Sequence, residues 1–175
     1  VGQQAALEIL ALRRLNPDPV PPPFVGGTAV GQWRATPSFL GNPPAPAPFS
    51  PMAVPWMAKF DPFTLTSPAR FRPGPQPPLT SERYTRDFKE VKALGSLVST
   101  ARSAEQTDLA YFYSGNIPAQ WNSALRGIAT RYLRRTGDSA RLFALANMAT
   151  ADAIISSWDS KAHYVFWRPV TAIVE

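Results

Sequence analysis

Residues 138–167 read DSARLFALANMATADAIISSWDSKAHYVFW, and as far as Ser156 this run is apolar or small around nearly its whole helical circumference. A helix that is apolar all round is buried by neighbours on several sides. Its alanines permit close approach of other helices, and Asp138 suits the N-cap position. The stretch therefore predicts the central helix of an all-α domain.

Other segments ahead of this helix also carry helical patterns. Residues 80–95 begin with capping hydroxyls and end at a glycine, and residues 103–115 begin with a capping box. Residues 118–137 open with a proline and carry an apolar stripe, and residues 3–14 form a shorter helical pattern. Since no segment alternates as strands do, we predict an all-α helical bundle.

The segment 16–80 has the composition of a long irregular arm, because it holds eighteen of the twenty prolines. Proline removes the backbone donor that helices and central strands need. Bulky aromatics are costly to leave in water, so we expect them to anchor the arm to the helices. They are Phe24, Trp33, Phe39, Phe49, Trp56, Phe60, Phe63 and Phe71. A ligand for proline-recognising domains is the alternative. The predicted division is residues 1–80, short helix and arm, and residues 81–175, bundle.

The amino-acid composition limits the kinds of site and partner that the protein can have. The 175 residues include no cysteine and one histidine, which excludes disulfides and leaves no local cluster for zinc, so no metal ligand is predicted. A net charge of +6 favours anionic partners. Arg131, Arg134 and Arg135 could touch nucleic acid, but a role in compensating a helix dipole is favoured, and no nucleic-acid partner is predicted. No apolar run is long enough to span a membrane.

Two cationic side chains lie near the end of the sequence. Lys161 and Arg168 are seven residues apart, close to two helical turns, so one continuous helix would place them on one face about 10.5 Å apart. Trp158 lies one turn before Lys161 on that face. A lysine point charge and an arginine fork that converge suit a tetrahedral or trigonal oxyanion. The alternative is two cations that compensate a helix C-terminus.

The string of Lys161, six residues and Arg168-Pro169, in the context NMATADAIISSWDSKAHYVFWRPVTAI, resembles the first signature of the vanadium-dependent haloperoxidase and phosphatidic acid phosphatase type 2 superfamily. The context is more similar to the bacterial haloperoxidase-type branch. The resemblance implies a helical bundle in which Lys161 and Arg168 bind the oxygens of vanadate, with phosphate able to occupy the same site. Trp158 is expected to line that cofactor pocket, and Lys161 and Arg168 are the expected catalytic residues.

The resemblance also implies what should accompany this chain. The family needs two further histidine-containing signatures, and neither occurs here, so we expect residues 1–175 to be an N-terminal portion that is inactive alone. The bundle would be completed by a C-terminal half, expected as a second polypeptide, and self-association is a further expectation. Substrates would be hydrogen peroxide and a halide. A phosphomonoester hydrolase and a non-enzymatic interaction module are the alternatives. The family resemblance, together with a first residue that is Val1 and not methionine, favours a secreted or periplasmic protein. A cytoplasmic protein is the alternative.

Two further titratable residues lie in the same stretch. His163, about 200° round the helix from Lys161, is expected to face away from the anion side and to serve packing or hydrogen bonding. Asp152 is expected to be buried and therefore to need a partner. We expect either a cation on a neighbouring helix or a local hydrogen bond with a helix hydroxyl such as Ser156.

Overall fold

The computed structural model describes residues 2–13, 26–36 and 54–175. These residues form six α-helices and two 3-10 turns, Pro55–Lys59 and Pro68–Phe71. They contain no β-strand, and an isolated antiparallel bridge joins Gln32 to Phe166. The all-α prediction is confirmed. The helices are α1 Gly2–Arg13, α2 Glu82–Leu94, α3 Ala104–Tyr113, α4 Ile117–Tyr132, α5 Thr136–Tyr164 and α6 Pro169–Val174.

Side-chain caps fix where α2, α3 and α4 begin. The Ser81 hydroxyl accepts a hydrogen bond from the backbone N–H of Tyr84 at 3.1 Å. Ser103 and Gln106 form the predicted capping box, each side chain accepting from the other residue's backbone N–H. Asn116 caps α4. Because each cap satisfies backbone donors that a helix start leaves unpaired, these boundaries follow from local sequence.

The chain divides into two compact units. One comprises residues 76–151, which hold α2, α3, α4 and the first part of α5. Within it, Leu125 is buried, and the paired side-chain amides of Asn122 and Asn147 link α4 to α5. The other comprises residues 1–75 and 152–175. The division from sequence at residue 80 stays a prediction.

Helix α5 differs from its prediction in extent and in burial. It begins at Thr136, so Asp138 lies in its first turn and does not cap it. It ends at Tyr164, three residues earlier than expected. Its buried residues are Asp152 and Ile155, whereas the apolar Leu145 is 53% exposed. Burial on all sides is therefore not observed within the described part of the chain.

The described parts of the arm lie against the C-terminal part of α5 and the segment that follows it. Trp33 is buried, as the anchoring prediction requires. Phe63 and Phe71 are exposed, so for these two residues that prediction is wrong. Phe24, Phe39 and Phe49 lie outside the described residues. Polar contacts at Asp152, Asp159 and the segment 165–168 hold the arm here.

The described residues contain neither a membrane-spanning helix nor a cluster of metal-binding side chains. Across residues 2–13, 26–36 and 54–175, none of the helices combines the length and apolar character that a membrane crossing requires. The same residues contain no group of three or more histidine, cysteine, aspartate or glutamate side chains arranged to hold a metal ion.

Candidate functional site

The end of α5 determines where Arg168 lies. Val165 follows the last helical residue with φ of 47°, in the left-handed region that ends many helices but is usually occupied by glycine. The backbone N–H of Val165 still donates to the Lys161 carbonyl at 3.0 Å. The chain then turns away from the helix axis. Lys161 and Arg168 are therefore not two turns apart on one helical face, which corrects the predicted geometry.

A backbone clasp holds the segment after this turn. The N–H of Trp33 donates to the Val165 carbonyl at 2.7 Å, and the N–H of Trp167 donates to the Gly31 carbonyl at 3.0 Å. Gly31 has φ of 85°, which glycine adopts without steric cost. The clasp fixes the residue that follows it, Arg168, at the N-cap of α6.

Arg168 makes a specific side-chain contact with the arm. Its Nη1 donates a hydrogen bond of 2.7 Å to the hydroxyl of Thr36. Its guanidinium carbon lies 5.8 Å from the centre of the Trp33 ring, within the range of a cation–π contact. Among the described residues, no carboxylate lies within ion-pair distance of this guanidinium. The side chain is thus held in place with its positive charge intact.

Lys161 is an exposed residue in the last turn of α5, and the charge of Arg168 acts on its ammonium. Its Nζ is 3.7 Å from the centre of the ring of Trp158, which lies one turn earlier in α5. Burial, and then the positive charge of Arg168, lower the pKa of Lys161 from its ordinary value of 10.5. Among the described residues, no carboxylate lies within ion-pair distance of the Lys161 ammonium, as was found for Arg168.

The two cations form an arrangement that suits an anion. Like charges held together without a counter-ion raise the free energy of the folded protein, and an oxyanion between them relieves that repulsion. An arginine fork and a lysine ammonium match the oxygens of a tetrahedral ion such as phosphate or vanadate. Lys161 lies in the last turn of α5 and Arg168 at the N-cap of α6, so the two cations come from different elements, and the charge of Arg168 still acts on Lys161. The roles of Lys161, Arg168 and Trp158 in holding a cofactor stay predictions.

The nearest carboxylate in sequence is occupied elsewhere. Asp159 accepts two hydrogen bonds from Arg72, at 2.7 Å from Nε and 2.8 Å from Nη2. This ion pair raises the pKa of Arg72. The Tyr164 hydroxyl donates to the Pro73 carbonyl at 2.5 Å, which attaches the same part of the arm. Asp159 therefore neutralises an arm residue rather than the pair formed by Lys161 and Arg168.

Asp152 has a different partner from both of those expected. Its carboxylate accepts hydrogen bonds from the backbone N–H groups of Phe63 and Thr64, at 2.5 and 2.8 Å, and from the Thr64 hydroxyl at 2.6 Å. Among the described residues no cation pairs with Asp152, and the expected Ser156 contact is wrong, because that hydroxyl makes no hydrogen bond there. Burial alone would raise the pKa of Asp152, but hydrogen bonds from Thr64, Phe63 and Leu65 outweigh it and hold the pKa below 3.8. Asp152 is thus a charged attachment point for the arm.

His163 lies on the surface. It is exposed, and its ring packs edge-to-face on Tyr164 with centroids 4.7 Å apart. The packing role expected from the sequence is consistent with this contact.

Sequence reasoning missed the arm residues that organise the site. Thr36, Thr64 and Arg72 each contact a residue between 152 and 168 from more than 80 positions away in sequence. None of them belongs to a motif. The signal that existed was the frequency of aromatics in the arm, which indicated attachment but not its chemistry.

Comparison with known proteins shows which proteins this chain resembles. The family model for the VCPO second helical-bundle domain matches residues 141–175, which contain Lys161 and Arg168. Vanadium chloroperoxidase of Curvularia inaequalis is 34% identical over 94 residues, which cover 45% of this chain and 15% of that protein. The chain thus spans a small part of the length of this curated relative. No solved structure gives a significant match. The family model and the relative together confirm that this chain is related to the vanadium haloperoxidase-type family.

Proposed function

We propose that this chain provides an oxyanion-binding part of a vanadate-dependent haloperoxidase, with Lys161 and Arg168 as the residues that hold the cofactor. The observation that carries the proposal is that neither Lys161 nor Arg168 has a carboxylate partner among the described residues, while partial burial and the charge of Arg168 lower the pKa of Lys161. The match of residues 141–175 to a domain of this family supports it, as does the similarity to a protein named vanadium chloroperoxidase.

Arg168, Lys161 and Trp158 suit a tetrahedral oxyanion, and each has a different role in binding it. Arg168 offers parallel N–H donors that can bind two oxygens at once. Lys161 adds a compact point charge, and Trp158 covers one side of its ammonium at 3.7 Å, which excludes water from that side. When bound, vanadate would supply the activation of hydrogen peroxide that halide oxidation needs. The two cations hold and polarise the oxyanion, because positive charge close to its oxygens withdraws electron density from them.

Hydrolysis of phosphomonoesters is the second candidate. The observation in its favour is the same one, that the described residues give Lys161 and Arg168 no carboxylate partner, because phosphate is a tetrahedral oxyanion that such cations also bind. In that reaction the same cations would stabilise the charge that develops on the transferred phosphoryl group.

Activity assays on the complete protein, rather than on residues 1–175 alone, separate the candidates. Dialysed protein is supplied with orthovanadate, hydrogen peroxide and bromide, and bromination of a dye is followed by absorbance. We expect bromination that requires vanadate, is lost in Lys161→Ala and is kept in Lys89→Ala, a matched exposed lysine on α2. Hydrolysis of a chromogenic phosphate ester without vanadate, and no bromination, would favour the phosphatase. If neither reaction occurs, a non-enzymatic role replaces both.

A further inference from the structure

We propose that Thr36 is a positioning residue for the oxyanion site: its hydroxyl fixes the guanidinium plane of Arg168, so that the remaining N–H donors are preset for the anion. This inference rests on the proposed function, since it assigns a role in the site formed by Lys161 and Arg168. It adds a residue of the arm to a site that the sequence placed entirely within residues 158–168.

The arm residues that contact Arg168 are buried. Thr36 is 5% exposed, and its hydroxyl oxygen lies 2.7 Å from Nη1 of Arg168. Trp33, also 5% exposed, lies three residues earlier and beside the same guanidinium. The backbone clasp at Gly31 and Trp33 attaches this segment directly to residues 165 and 167. Thr36 is therefore held rigidly enough to orient another side chain.

A hydroxyl is chemically suited to this role because it orients a cation without neutralising it. A carboxylate in the same place would cancel the charge of Arg168 and would compete with the anion for its donors. The chain contains that arrangement elsewhere, where Asp159 takes two donors of Arg72. The contrast indicates different uses, since Arg72 attaches the arm whereas Arg168 keeps its charge for a ligand.

Positioning has a measurable consequence for affinity. An arginine side chain that is already ordered loses less conformational freedom when its ligand binds. Replacing Thr36 with the isosteric valine keeps the volume and removes the acceptor. We expect Thr36→Val to weaken the binding of orthovanadate and of inorganic phosphate by about 3- to 10-fold. Thr36→Ser, which keeps the hydroxyl, should stay within about 2-fold of the wild type.

The experiment is isothermal titration calorimetry of the intact protein with orthovanadate, and separately with phosphate. Thr64→Val is the matched control, because it removes a hydroxyl contact between the arm and Asp152 without touching Arg168. It should lower the melting temperature and leave anion affinity unchanged. In an Arg168→Ala background, Thr36→Val should change affinity by less than about 2-fold, since the residue through which it acts is gone. Thr36→Ala repeats the test if the valine variant does not fold.

The outcomes distinguish this inference from the proposed function. If Arg168→Ala weakens anion binding while Thr36→Val binds like the wild type, the positioning role is wrong and the oxyanion site stands. If Thr64→Val weakens binding as much as Thr36→Val, the hydroxyl serves attachment only. If Thr36→Ser behaves like Thr36→Val, the hydroxyl is not the group that positions Arg168. Either result overturns the inference. If the wild-type protein binds neither anion, the proposed function fails and takes the inference with it.

Discussion

Replacing Asp152 with asparagine tests the attachment of the arm to α5. Asparagine keeps the shape of the side chain, removes its charge and puts an NH2 group where one oxygen now accepts hydrogen bonds. Because the neighbouring donors are the N–H groups of Phe63 and Thr64 and the Thr64 hydroxyl, at least one of them loses its acceptor. Asp152 is 3% exposed, so water cannot take the place of that acceptor.

The expected cost follows from these contacts. A hydrogen bond to a charged group contributes about 1.5–3 kcal/mol, and removing one partner from a buried charged network costs about 3–5 kcal/mol. Since asparagine keeps one carbonyl oxygen, we expect Asp152→Asn to lower the free energy of unfolding by about 3 kcal/mol. The measurement is urea denaturation followed by tryptophan fluorescence, with Asp108→Asn on the exposed surface of α3 as the control.

The pH dependence gives an independent check. A carboxyl whose pKa is lower in the folded protein than in the unfolded chain stabilises the fold above its ordinary pKa, and this stabilisation is lost as pH falls through the folded value. For Asp152 the difference between wild type and Asp152→Asn should be constant from neutral pH to about pH 4 and shrink at lower pH. If Asp152→Asn unfolds within about 0.5 kcal/mol of the wild type at neutral pH, the attachment argument is refuted.

Three further outcomes are expected. Arg72→Met and Asp159→Asn should each lower the melting temperature in calorimetry, and the double variant should lose little more, because both remove one ion pair. A double loss equal to the sum of the single losses would contradict this. Lys161→Met should leave the melting temperature of the anion-free protein level or raise it, since burial and Arg168 disfavour the charged lysine, whereas a clear fall would count against that reasoning. In titrations at increasing alkaline pH, phosphate affinity should decline as Lys161 loses its proton below its ordinary pKa of 10.5, and affinity independent of pH would exclude the lysine from the site.

Local features of the fold could be predicted from the sequence because their causes lie within a few residues. Ser103 and Gln106 satisfy each other's backbone donors across one helical turn, so their spacing alone predicts where α3 begins. The same is true of Ser81 in α2. The aromatic content of the arm predicted its attachment, and Trp33 confirms this.

Features that depend on distant contacts could not be predicted. Asp152 signalled a need for a partner, but the donors at Phe63 and Thr64 are mostly backbone N–H groups, which every residue except proline carries. The end of α5 at Tyr164 carried no glycine signal, because Val165 adopts the left-handed conformation and the clasp to Gly31 and Trp33 holds it there. A β-branched residue at such an angle is unfavourable on its own.

The candidate site was predictable in composition but not in geometry. The spacing and family resemblance of Lys161 and Arg168 named the cations, whereas the structure places Lys161 in α5 and Arg168 at the N-cap of α6, beyond a turn, and not along one helix. The role of Thr36 could not be predicted, since the looser family resemblance of VGQWRATPSF, residues 30–39, assigns no function to its hydroxyl.

Isothermal titration of Lys161→Ala and Arg168→Ala with orthovanadate, beside their melting curves without anion, tests the central claim most directly. If the two cations bind an oxyanion, Arg168→Ala should weaken vanadate binding about tenfold to a hundredfold, and Lys161→Ala should act similarly. The melting temperature of anion-free Lys161→Ala should stay level or rise, because the repulsion between the two side chains is removed, whereas Arg168→Ala also loses the hydrogen bond to the buried Thr36 and should melt lower. Unchanged vanadate affinity in both variants would contradict the claim, since cations that serve only the ends of helices contribute to stability and not to binding.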